Sequence, residues 1–76
     1  NNEYVLSGRL DIEKANELLS LELPESDEYQ TIGGLILNHH QSIPKAHEII
    51  TLDRFQFRII KATRTKIELV KLKVSE

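Results

Sequence analysis

Apolar residues recur at three- and four-residue spacing through the first half of this chain and at two-residue spacing through the second. The run Tyr4-Val5-Leu6-Ser7 reads as a short strand that ends at Gly8. Asp11 then stands where a helix N-cap belongs. Ile12, Ala15, Leu18 and Leu19 follow at helical spacing on one face, with Glu13, Lys14 and Glu17 on the other. Pro24 stops that helix from continuing. Residues 22–28 form an acidic loop, and Thr31 caps a second helix running from Ile32 to about His40. Its inward positions are Ile32, Leu35, Ile36 and His39. Ser42-Ile43-Pro44 closes it, because a residue before proline disfavours the helical region.

The rest is strand-like. Residues 48–52 form one candidate, and Asp53-Arg54 makes a tight connection. Phe55-Gln56-Phe57-Arg58-Ile59 alternates, with Phe55, Phe57 and Ile59 on the buried side. Arg64-Thr65 is a second turn. Lys66-Ile67-Glu68-Leu69 alternates in one phase and Val70-Lys71-Leu72-Lys73-Val74 in the other. A strand of period two changes phase only by taking an extra residue, so a β-bulge is expected near Leu69-Val70. The predicted order is strand, helix, helix and a three-stranded meander, with the first strand added to an edge of the same sheet. Two helices on a small, mainly antiparallel sheet make the fold class α+β.

Gly33 and Gly34 fall in the first turn of the second helix, where each costs roughly 1 kcal/mol relative to alanine. A residue without a side chain lets another segment approach its backbone, so close packing is the expected return. Tyr29, Thr31, Gly33 and Gly34 are therefore expected to shape a surface through packing rather than catalysis.

Composition narrows the rest. Seventy-six residues make one domain, 1–76, with a single modest core. There is no cysteine, hence no disulfide framework and no thiolate metal site. The start Asn1-Asn2-Glu3, without methionine, suggests a piece of a longer protein. The longest apolar run, residues 32–37, is far short of the ~20 residues of a spanning helix. The net charge of -2 conceals a split: eight acids against Arg9 and Lys14 in residues 1–38, and eight bases against four acids in residues 39–76. Arg58, Lys66, Lys71 and Lys73 are expected on a basic sheet face. Should that face meet the acidic half of a second copy, the chain would form a salt-sensitive homodimer.

Candidate chemistry is thin. His39 and His40 point about 100° apart on a helix and do not share one ion easily; His40, His47 and Glu48 meet only if the intervening loop folds back. Glu22, Glu25, Asp27 and Glu28 offer hard oxygen ligands but lack the calcium-loop spacing. Thr31-Ile32-Gly33-Gly34 could hold an anion on free helix amides, yet no nucleotide fingerprint is present. No nucleophile motif surrounds any serine. Phe55 and Phe57 belong to the core, leaving no stacking platform, so no nucleic acid is expected as partner.

Read together, Gly8-Arg9 with Asp11, Leu18-Leu19, Leu23-Pro24 and Tyr29-x-Thr31-Ile32-Gly33-Gly34-Leu35 resemble the CorC/HlyC transporter-associated domain, as do Ile43-Pro44, Glu48, Phe57, Ile67 and Val70. The resemblance covers nearly all of the chain. It implies a C-terminal module of hemolysin-like proteins and of proteins linked to magnesium and cobalt efflux, lying behind CBS domains and often a membrane domain. It also implies an α+β fold similar to part of FAD-binding domains, with no flavin or other cofactor implied. The implied place is the cytoplasmic side of the cell membrane within a larger protein, with no insertion by this segment. The implied role is modulation of ion transport, and the family carries no catalytic residues over. Gln41 and His47 stand where the family usually has glycine. Either they tolerate strained turns, or residues 38–48 take another shape. A second reading stays open: a sensor that binds a nucleotide or a divalent cation directly.

Overall fold

The computed structural model describes residues 2–75. β1 (Glu3–Ser7) leads through Gly8 to α1 (Ile12–Leu19), and an acidic loop leads on to α2 (Ile32–His40). β2 (Ile49–Leu52), β3 (Phe55–Ala62) and β4 (Ile67–Val74) complete the chain. The strands lie in the order β1-β4-β3-β2, and every pairing is antiparallel. The first strand thus joins the meander at its edge, as its position in the sequence leads one to expect.

Alternation puts Phe55, Phe57 and Ile59 of β3 and Val70 and Leu72 of β4 on one face of the sheet. Ile12 and Ala15 of α1 and Ile32, Leu35 and Ile36 of α2 join them in one buried cluster. This is the α+β arrangement expected, with both helices on one side.

α1 begins and ends at the predicted residues, but its inward stripe is narrower. Ile12 and Ala15 are buried and Leu19 is half-buried, whereas Leu18 is 63% exposed. At 100° per residue Leu18 falls about 60° outside the arc from Ala15 through Leu19 to Ile12. Leu21 and Leu23, beyond the helix, fill the core instead. Asp11 occupies the N-cap position, but its side chain makes no capping bond. On α2, Thr31 does cap: its Oγ1 accepts from the Gly34 amide at 3.0 Å. His39 is exposed rather than inward. The buried stripe of α2 ends at Ile36, with Leu37 half-buried, before the last turn.

The phase change in β4 is real and falls beside Leu69-Val70, as expected. Ile59 pairs with Val70, Lys61 with Leu69, and Ala62 with Ile67. Ile60 is therefore the extra residue on β3 and Glu68 the extra residue on β4. The two bulges offset each other, so Ile67 and Val70 are both buried although three positions apart.

Glycine sets how closely the layers approach. A Cβ on Gly8 would lie 1.9 Å from the Ile67 carbonyl oxygen, and one on Gly33 would lie 3.0 Å from the Gly8 carbonyl oxygen. Neither glycine has positive φ. They are required for space, not for backbone conformation. Gly8→Ala is expected to cost about 3 kcal/mol, the upper end for overpacking against something that cannot swing away. Gly33→Ala recovers roughly 1 kcal/mol of helix propensity and should lose less, about 1 kcal/mol net. Urea denaturation measures both; a Gly8→Ala chain as stable as the parent would refute the contact.

Candidate functional site

Two regions hold the residues singled out from the sequence. The first is the start of α2. Tyr29 Oη donates to the Pro24 carbonyl at 2.9 Å, closing the acidic loop. Burial raises the Tyr29 phenol above its ordinary value, with a smaller push from Glu28. The Ile12 amide donates to Gln30 O at 2.8 Å, and the Ile32 amide donates to Leu10 O at 2.9 Å. Each helix start is thus fastened to the residue just before the other's cap. The Gly33 amide donates to Gly8 O at 2.8 Å. With Gly34 bonded to Thr31, the first three amides of α2 all have protein partners. An anion would have to displace one, so Thr31, Gly33 and Gly34 form a packing joint and not a phosphate cradle.

The acidic loop does not form a ligand quartet. Asn16 pins it: Asn16 Oδ1 accepts from the Leu23 amide at 2.9 Å, and Nδ2 donates to Leu23 O and to Glu25 Oε2, both at 3.1 Å. Glu22 pairs with Arg54 at 3.4 Å, and Glu28 accepts from Asn38 at 3.2 Å. Glu25 and Asp27 alone of the four line a hollow of about 670 Å³, where Asp11, Glu13 and Glu17 join them. Among the described residues no three His, Asp or Glu side chains converge as metal ligands.

The second region is the uncovered face of the sheet. Its registers align Glu3, Lys73, Gln56 and Thr51 in one cross-strand row and Val5, Lys71, Arg58 and Ile49 in the next. Six of these residues line a shallow depression of about 240 Å³: Glu3, Ile49, Gln56, Arg58, Lys71 and Lys73. Lys71 Nζ lies 3.1 Å from Glu3 and holds that carboxyl below its ordinary range, first through the hydrogen bond and then through its charge. Lys66 lies outside this face, in the β3–β4 connection, where its amide donates to Thr63 Oγ1 at 3.2 Å. A turn beginning at Thr63, not a strand beginning at Lys66, accounts for the difference.

The loop between α2 and β2 does fold back. His40 Nε2 lies 2.8 Å from Glu48 Oε2, and Ser42 Oγ lies 3.0 Å from His40 Nδ1. Glu48 Oε1 accepts from the Lys45 amide at 3.0 Å. His47 is not part of this cluster; it and Gln41 instead take left-handed backbone angles, φ 71 and 68. Of the two alternatives posed by the missing glycines, strained turns are the one realised. Serine, histidine and carboxylate in this order could form a nucleophile–base pair with an orienting acid. Here Ser42 and Glu48 are exposed, and the contacts among residues 40, 42, 45 and 48 clamp the loop.

The whole chain, residues 1–76, matches the family described as the transporter associated domain, CorC_HlyC. The chain belongs to this family. It is 36% identical over 73 residues to a UPF0053 protein of Buchnera aphidicola, covering 95% of this domain and 14% of that relative's length. Among solved structures, the CorC_HlyC domain of Nitrosomonas europaea is 31% identical with a TM-score of 0.83, over 96% of this chain and 87% of that one. A region of Neisseria meningitidis MC58, provisionally named for association with a Mg²⁺ and Co²⁺ transporter, superposes with a TM-score of 0.86 at 21% identity, over 99% and 91%. The last likeness bears on the fold alone. The domain is thus transporter-associated, and no helix among its described residues is long and apolar enough to cross a membrane.

The clamp of this domain should respond to pH. Glu48 raises the His40 imidazole above its ordinary 6.5, chiefly by the hydrogen bond, against a smaller effect of burial. His40, then the Lys45 amide, hold Glu48 below its ordinary 4.5. The histidine's contribution is full below pH 6.5 and disappears as pH rises through its folded value. The carboxylate's is full above pH 4.5 and disappears as pH falls through its own. The clamp is therefore complete between about pH 4.5 and 6.5. NMR titration should place His40 above 6.5 in the native chain and nearer 6.5 in Glu48→Gln; identical midpoints would refute the pair.

Proposed function

We propose that this domain is a non-catalytic regulatory and interaction module of a larger CBS-containing membrane protein that moves ions, with magnesium and cobalt efflux as its setting. The observation that carries this reading is the match of the whole chain to a transporter-associated family, while the chain spans only 14% of its Buchnera relative. The geometry agrees with it. Tyr29, Thr31, Gly33 and Gly34 are spent on fastening helices to sheet. Among the described residues, Arg58 forms no ion pair, and Lys71 and Lys73 act only on Glu3, Lys71 by direct contact and Lys73 through its charge. In this reading the domain lies on the cytoplasmic side of the membrane and presents its free sheet face to a partner.

The test begins with fractionated cells. An antibody against the domain should detect a membrane-associated chain several times larger than 8.8 kDa. Deleting residues 2–75 from that chain should change Mg²⁺ or Co²⁺ efflux severalfold at equal protein level. Unchanged efflux would overturn the reading.

A second reading is direct sensing of a divalent cation, drawn by the net negative charge of five carboxylates and Lys14 around the hollow beside α1 rather than held by a converging ligand set. Mn²⁺ added to the isolated domain should then broaden the amide signals of Glu13, Glu17 and Asp27 before all others, and Glu17→Gln should weaken the effect. Uniform or absent broadening would remove this reading.

A further inference from the structure

We propose that the open face of the sheet docks an acidic amphipathic helix from the rest of the parent protein. A carboxylate of that helix would sit on Arg58 and Lys71, and its aliphatic side chains over Val5 and Ile49. The inference rests on the reading of this domain as part of a larger chain and names what its free face takes.

The argument starts from one cross-strand row. Val5, Lys71, Arg58 and Ile49 are consecutive partners on β1, β4, β3 and β2. Like charges directly opposite each other repel, and Lys71 and Arg58 are such a pair. Glu3, from the neighbouring row, relieves Lys71. Arg58 makes no ion pair and no side-chain hydrogen bond with any described residue. A guanidinium receives a carboxylate through two parallel hydrogen bonds, so a carboxylate from outside would complete the row and remove its repulsion.

The apolar side chains point the same way. Three large hydrophobic residues are strongly exposed: Val5 at 62%, Ile49 at 49% and Leu18. Two of the three close the two ends of this row. Four strands about 4.8 Å apart make the row roughly 14 Å wide, which one helix about 10–12 Å across covers. The occupant is thereby specified as apolar at both edges and anionic in the middle.

A second copy fits less well. Face-to-face packing would set Arg58, Lys71 and Lys73 against themselves. Packing this face on the acidic side of another copy joins opposite sides of a two-layer domain, and such a head-to-tail contact does not close into a pair. The footprint, roughly 14 by 15 Å, is also about a quarter of the ~800 Å² each partner gives to a standard interface. An anionic lipid surface fits less well too. Three cations against Glu3 fall short of the about four to eight basic residues that hold a segment on such lipids.

The test uses the full-length protein in membranes, with a photo-crosslinking amino acid replacing Val5 or Ile49. The expected adduct is on an aspartate- or glutamate-bearing segment of the same polypeptide, outside this domain. Its yield should fall at least fivefold in Arg58→Glu/Lys71→Glu and at ~1 M salt, where screening acts within about 3 Å. Arg58→Gln is the milder variant should the double one misfold, and the crosslinker at Leu18 should not give this adduct. An adduct on a second copy, on lipid or on a segment without carboxylates overturns the proposal, as does no adduct. The failure of the transport role is distinct: efflux would be unchanged by deletion while the adduct still formed.

Discussion

The close stack of Gly33 on Gly8 and of Gly8 on the Ile67 carbonyl is the contact on which the other features rest. Without side chains at these two positions, the first turn of α2 lies directly on the chain leaving β1, and that chain lies directly on β4. The Gly33 amide can then reach Gly8 O, and the Gly8 amide can reach Glu68 O at 2.9 Å. Once α2 is held there, the exchange between Leu10, Ile12, Gln30 and Ile32 aligns α1 beside it. Helix propensity is given up at Gly33 and Gly34, and the gain is a joint in which three helix amides are satisfied by the fold itself. The same joint leaves the first three amides of this glycine-rich helix start already paired within the protein.

Much of this was legible in the sequence, and the limits of legibility have physical causes. Local signals served well: Thr31 three residues before Gly34 marked a cap, and the alternation from Phe55 to Ile59 marked a buried strand face. The phase change in β4 demanded a bulge. The irregularity falls beside Leu69-Val70 as expected, and the pairing with β3, not the pattern within β4, decides which residue is extra. Gly8 could be read as the end of a strand, but the carbonyl that excludes its side chain belongs to residue 67, far along the chain. Leu18 reads as inward because its angular offset is small, and only the supply of Leu21 and Leu23 from the following loop makes it unnecessary. The role of Asn16 leaves no mark on the sequence pattern. An asparagine on the polar side of a short helix gives no sign that it holds a loop seven residues away.

The split in charge between the halves of the sequence has a structural counterpart, though not a simple one. The acids of the first half are partly consumed: Glu3, Glu22, Glu25 and Glu28 all have protein partners. Asp11, Glu13, Glu17 and Asp27 remain around one hollow on the helical side. Arg58, Lys71 and Lys73 gather on the opposite side, while Lys66 stays in a turn. The domain is therefore polarised across its thickness as well as along its chain. Attraction between its halves accounts for only a few weak, exposed contacts.

The paired bulges also bear on how this sequence can change length. Ile60 and Glu68 are single insertions on neighbouring strands, and the ladder returns to step on both sides of them. Loss of either residue alone would make its own strand regular and leave the single bulge on the other, with the Ile59–Val70 and Ala62–Ile67 pairs kept. Loss of both would restore a continuous ladder with Ile59, Ala62, Ile67 and Val70 still facing inward. For this hairpin, each strand can be shortened by its own extra residue, singly or together, without turning its buried face outward.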